Sequence, residues 1–163
     1  MQMHALSLAY VHHGTLDVPR DIEPQYEAAK AYLSHDSIER SLFRYLEHAG
    51  SRHYRLAGNL HNDDHFDPTT DTIAWDPYSA LRTTRGGHQS PALGLGHEID
   101  HAVLDCRSAR RLSTTPDDRY DTAEERRVIT GSEAHAARAL GLRLAPEQRA
   151  SRCGWIRVRY ARG

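Results

Sequence analysis

Ser90 followed by Pro91 is the strongest helix start in the 163-residue chain. The serine hydroxyl can accept a backbone N–H, and proline suits a first turn that has no donor to lose. The residues after it, ALGLGHEIDHAVLDC, hold a helical period to Cys106, with Ala92, Leu95, Ile99, Ala102, Val103 and Cys106 on one stripe. A helix over 91–106 has to bury that stripe, so the rest of the chain is expected to pack around it. Beside the stripe, His97 and His101 stand one turn apart on a shared face.

Two imidazoles so spaced can each set a nitrogen about 2.0–2.1 Å from a shared zinc ion. Glu98 is rotated by roughly 100° from His97 and need not bind the ion. It takes the general-base position, accepting a proton from a zinc-bound water and carrying it to a leaving amine. Peptide hydrolysis is the reaction this pattern serves best. A hydrolytic zinc also needs a third protein ligand and an open fourth position. The metzincin solution requires Gly at 104 and His at 107, where the chain has Leu104 and Arg107, which excludes that class. In the gluzincin arrangement a second helix supplies a glutamate, and TAEERRVITG offers Glu124 and Glu125, far enough after His101 for a loop and a return. Spacing leaves both open, because Thr122 with Glu125, or Asp121 with Glu124, makes a capping box. Asp105 and Glu133 are rival third ligands. Asp105, one turn beyond His101, is expected to orient a ligand from behind or to be a plain surface residue, and His135 is expected on a helix surface.

The remaining chain reads as an α+β fold in one domain over 1–163. HALSLAYV alternates as an opening strand ended by Gly14. EPQYEAAKAYL and DSIERSLFRYLEHAG are helices, the second with a stripe of Ile38, Leu42, Tyr45 and Leu46. RHYRLAG and DTIAWDP are strands, NDDHFDPTT breaks the pattern between them, and Tyr78 to Gln89 is a loop. DTIAWDP is expected at a sheet edge, where a substrate backbone could add, with Trp75 beneath the 91–106 helix or simply in the core. RSARRLSTTPDDR is a loop. The helix starting near Asp121 or Thr122 breaks at Gly131, Ser132 caps the next, and CGWIRVRYARG is a final strand. The formal charge of −1 hides an acidic stretch over 61–76 and a basic tail from Arg138, which argues against a uniform nucleic-acid surface. No apolar run approaches the roughly 20 residues of a membrane span. Cys106 and Cys153 make no disulfide framework, and no leader for Sec export is evident.

DTIAWDP, SPALGLGHEIDHA, EERRVITG and SEAHAARALGL together resemble the NleD-like bacterial effector metallopeptidases, which are related to the clostridial neurotoxin light chains. The resemblance covers roughly Asp71 to Leu142. EERRVITG is similar to the Glu-Glu-x-Arg-Thr-Phe-Gly-Gly segment of the neurotoxins, in which the second glutamate binds zinc. It implies Glu125 as the third ligand, Glu124 as an outer glutamate, and Arg127 as the arginine of that segment. It further implies a downstream arginine and tyrosine that stabilise the oxyanion, for which RVRY supplies Arg157 and Tyr160, a spacing that arises easily by chance in so arginine-rich a chain. The implied fold is a zincin-like domain with a small mixed sheet, an active-site helix and a following glutamate-bearing helix. The implied activity is that of a monomeric endopeptidase holding one zinc. It would be secreted without a Sec signal, attended by a secretion chaperone or an immunity protein, and would cut a protein in the cytoplasm of a target cell. Two departures stand out. Asp100 lies where these families are usually apolar, leaving it solvent-facing or tuning the site, and no aspartate follows Glu125 by four residues, so thermolysin is not the pattern. Two other readings compete: a binding protein that zinc merely staples, and a cytoplasmic regulatory peptidase cleaving a repressor in its own cell.

Overall fold

Gly14 makes the first turn of the structure. Its φ of +62° is left-handed, and a Cβ there would stand 1.9 Å from the carbonyl oxygen of Glu47, so only glycine fits. It joins Tyr10–His13 (β1) to Leu16–Pro19 (β2) in an antiparallel hairpin. The computed structural model describes residues 9–59, 63–82, 88–107 and 112–141, and the backbone of 156–159. Most of the expected opening strand lies outside these residues.

Two helices follow, Glu23–Leu33 (α1) and Ser37–Glu47 (α2). Pro24 sits in the first turn of α1, where its missing N–H is harmless. Asp36 caps α2, its carboxylate accepting from the amides of Ile38 and Glu39 at 2.8 and 2.9 Å. Of the expected stripe on α2, Leu42 and Leu46 are buried and Tyr45 is partly buried against the core, but Ile38 is exposed, and Glu39, Phe43 and Glu47 complete the buried face. The helix is turned so that two acids face inward. Glu47 is satisfied there by the Tyr26 hydroxyl at 2.8 Å and the Lys30 ammonium at 2.5 Å.

Tyr54–Gly58 (β3), His65–Asp67 (β4) and Thr72–Trp75 (β5) complete a mixed five-stranded sheet in the order β1-β2-β3-β5-β4. β2, β3 and β5 run parallel, and β4 is antiparallel along the outer side of β5. DTIAWDP is therefore interior, and the edge belongs to β4, cut from the polar run expected only to break the pattern. Residues 79–82 (β6) and 88–89 (β7) form strands where a loop was expected, and 156–159 (β10) pairs antiparallel with β6. Pro116–Asp117 (β8) and Asp121–Thr122 (β9) make a two-stranded ribbon.

Pro91–Arg107 (α3) runs through the centre, packed on α1, α2, β4 and β5. Its stripe of Ala92, Leu95, Ile99, Ala102 and Val103 is buried in the core. Ala123–Val128 (α4), a kinked segment over Ile129–Glu133 and Ala134–Ala139 (α5) return across α3. The break falls at Gly131, with φ −97° and ψ −107°. Ser132 does not cap α5, because its hydroxyl is committed to Asp100.

Candidate metal centre

The start of α3 is pinned twice. The Ser90 hydroxyl accepts from the Leu93 amide at 3.4 Å, and the buried Trp75 donates its indole N–H to the Pro91 carbonyl at 2.8 Å. Trp75 thus packs beneath the helix as a core residue. Farther along, His97 and His101 are 4% and 5% exposed, and their Nε2 atoms stand 3.0 Å apart. Each Nδ1 faces a carboxylate, His97 onto Glu133 at 2.8 Å and His101 onto Glu124 at 3.0 Å. A carboxylate only accepts, so each Nδ1 carries a ring proton, and in the neutral ring each Nε2 presents a lone pair.

Glu125 closes a triangle, with one oxygen 3.1 Å from His101 Nε2 and the other 3.2 Å from His97 Nε2. Its placement follows from the cap of α4. Thr122 is the cap and accepts the Glu125 amide at 3.1 Å, while Asp121 before it takes a left-handed φ of +69°. Glu125 does not reciprocate, which leaves its side chain for the imidazoles. Two lone pairs and a carboxylate this close repel one another unless a cation lies among them. Donors about 2.0–2.1 Å from a tetrahedral ion stand about 3.3 Å from each other, close to the separations here, and two imidazoles with one carboxylate form a hydrolytic zinc set. Glu98 is buried with a carboxylate oxygen within 4.8 Å of both imidazole nitrogens. The Glu125 side chain is 34% exposed, so the triangle is reached from solvent on that side.

The electrostatics follow from this packing. Burial raises the Glu125 carboxyl, but hydrogen bonds from His101 and His97 outweigh it and leave the group well below the usual carboxylate range. Glu124 is likewise raised by burial, yet His101 and Arg127 bring it down to about 2. For His101 burial works against the charged ring, and the hydrogen bonds to Glu124 and Glu125 win, so its pKa rises. With no cation among these groups, the two carboxylates favour the protonated His101 ring.

Arg127 supports this arrangement, donating to both Glu124 oxygens at 2.7–3.2 Å and to Asp100 at 3.0 Å. Asp100 is buried rather than solvent-facing. Glu133 backs His97 from behind and does not stand in front as a rival ligand. Asp105 orients neither histidine. It accepts from Arg52 at 2.6 Å, and Arg52 also holds Asp71, so this carboxylate is engaged by an arginine distant in sequence. His135 is half-exposed and pairs with the α2 cap Asp36 at 2.5 Å. Arg157 lies in β10 opposite Leu81, with only its backbone described, and Tyr160 lies outside the described residues.

One participant went unmarked in the sequence. Glu39 of α2 is buried against Gly96, where a Cβ would stand 2.5 Å from Glu39 Oε2, and that oxygen has no hydrogen-bond partner among the described residues. Burial, then Asp100, Asp36 and Glu133, push its carboxyl up to about 8. An acid on an apolar helix face and a glycine inside a helix, which costs about 1 kcal/mol against alanine, are the two marks that could have shown it. No protein-family model, curated protein or solved structure matches this chain.

Proposed function

We propose that the protein is a zincin-like zinc endopeptidase of the gluzincin type, holding one zinc per chain on His97, His101 and Glu125. The observation that carries this reading is the triangle of two Nε2 atoms and one carboxylate at 3.0–3.2 Å, with a separate carboxylate behind each imidazole. A zinc ion in such a cradle supplies Lewis acidity, lowering the pKa of a water towards 7 and polarising a carbonyl.

The chain's own residues do the rest. Glu98, beside both imidazoles, takes the proton of the attacking water and delivers it to the nitrogen of the leaving amine. General acid–base work of this kind contributes about 10²- to 10⁴-fold. Glu124 and Glu133 keep the histidine protons on Nδ1, and Arg127 keeps Glu124 ionised. The resemblance assigns the oxyanion donors to Arg157 and Tyr160. By the same resemblance the substrate is a protein of a target cell, reached through a specialised secretion route.

One observation favours a second reading. Glu98 lies close enough to both imidazoles to serve as a fourth ligand, which would close the site into a structural staple. The variant Glu98→Ala separates the two. A peptidase keeps its zinc and loses cleavage, whereas a staple loses zinc affinity and had no cleavage to lose. The readouts are zinc per chain by elemental analysis and new protein termini in cells receiving wild type or variant. Equal cleavage by Glu98→Ala and wild type would contradict the mechanism.

A further inference from the structure

We propose that Asp100, between the two histidines, is a positioning residue that holds both backing carboxylates in place through one joint. This inference rests on the metal-centre reading above. Glu124 and Glu133 lie on opposite sides of the break at Gly131, so nothing in the local helical geometry keeps them in step. Both sides nevertheless end on Asp100. Before the break, Arg127 donates through Nη1 to Asp100 Oδ1 at 3.0 Å while its other nitrogens grip Glu124. After the break, the Ser132 hydroxyl donates to Asp100 Oδ2, and Glu133 is the next residue.

Asp100 is 6% exposed and divides its two oxygens between these partners. On α3 it stands three residues after His97 and one before His101, on a face adjoining the pair. The joint therefore connects the active helix to the returning segment at the level of the imidazoles. Once it is made, Glu124 meets His101 and Glu133 meets His97 from the two sides of the break at Gly131. Carboxylates behind metal-binding histidines typically matter ten- to a hundredfold in metal affinity, and the joint governs two of them.

The test is zinc affinity of the purified full chain, by competition with a chromophoric chelator. Asp100→Asn and Ser132→Ala are each expected to weaken binding about ten- to a hundredfold. Adding Ser132→Ala to Glu133→Gln is expected to weaken it no further than Glu133→Gln alone, since both act on His97. Adding it to Glu124→Gln multiplies the losses, since Glu124 acts on His101. Thermal melts of the metal-free variants accompany each titration. Weaker binding with the melting temperature kept supports the joint, and weaker binding that merely tracks unfolding overturns it. Unchanged affinity in Asp100→Asn, or multiplying losses for Ser132→Ala with Glu133→Gln, overturns the joint and leaves the metal centre standing. A wild-type chain that takes up no zinc overturns both.

Discussion

Among the described residues, two clusters bring three metal-ligating side chains of histidine and carboxylate together, and only one is built like a metal centre. In one, a single ring that is 15% exposed, His13, faces Glu27 at 3.2 Å through Nδ1 and Glu23 at 3.9 Å through Nε2, with the carboxylate side chains 47% and 30% exposed. At the interior pair, both imidazoles are buried and the carboxylates divide into two kinds, Glu124 and Glu133 behind, Glu125 in front. A lone ring between two partly exposed acids brings no second imidazole lone pair to a common point. Two rings whose protons are held at the rear turn their lone pairs to a common point, and desolvation makes that convergence costly unless a cation relieves it. What separates the groupings is therefore the orientation imposed from behind, not the number of ligating atoms.

The largest expected effect is on His101→Ala. Zinc bound by a full set of ligands is worth about 10–16 kcal/mol, so removing one of three protein ligands should weaken zinc on the order of a thousandfold, read by chelator competition. An affinity within about threefold of wild type would erase the distinction between the groupings.

Next is Glu39→Gln, which probes the acids packed behind the interior pair. Glu39 has its folded pKa raised from 4.5 to about 8, so folding retains a proton that the unfolded chain releases across that window. The stability this group lends at low pH is lost as pH rises through it, at about 1.4 kcal/mol per pH unit. Urea unfolding of the metal-free variant should match wild type near pH 4.5 and exceed it by a few kcal/mol near pH 8. Equal stability at both pH values would show that Glu39 is solvated.

These two variants also mark how far the sequence was legible. The helix from Ser90 and the two histidines follow from local signals, a cap and an i, i+4 spacing, whereas the second capped helix left Glu124 and Glu125 open and only the resemblance singled out Glu125. Glu39 gave no such signal, because an acid in an apolar stripe reads as an interruption until Gly96 is seen to make room for it. Glu133 was readable as a ligand but not as a support, since its role depends on the backbone at Gly131. β4 is three residues long and owes its strand form to pairing with β5 rather than to its own polar composition. Asp105 was misplaced for the opposite reason. Its spacing from His101 was right, but Arg52, distant in sequence, engages its carboxylate.

A smaller effect concerns pH. His101 has its pKa raised in the metal-free protein, and zinc must displace that proton. Zinc affinity should therefore fall about tenfold per unit as pH drops below the folded pKa of His101, while Glu124 and Glu125, held low, add no further loss above pH 4.5. A flat profile between pH 8 and 5, read by chelator competition, would contradict the proton assignment. Smallest of all is His13→Ala, which should leave zinc at one per chain with affinity unchanged.

The most direct measurement is a crystal structure of the zinc-loaded protein with anomalous data on both sides of the zinc edge. A single strong peak about 2.0–2.1 Å from Nε2 of His97, Nε2 of His101 and a carboxylate oxygen of Glu125 is the result expected. A peak beside His13 with none between His97 and His101, or no peak at all, would contradict the account.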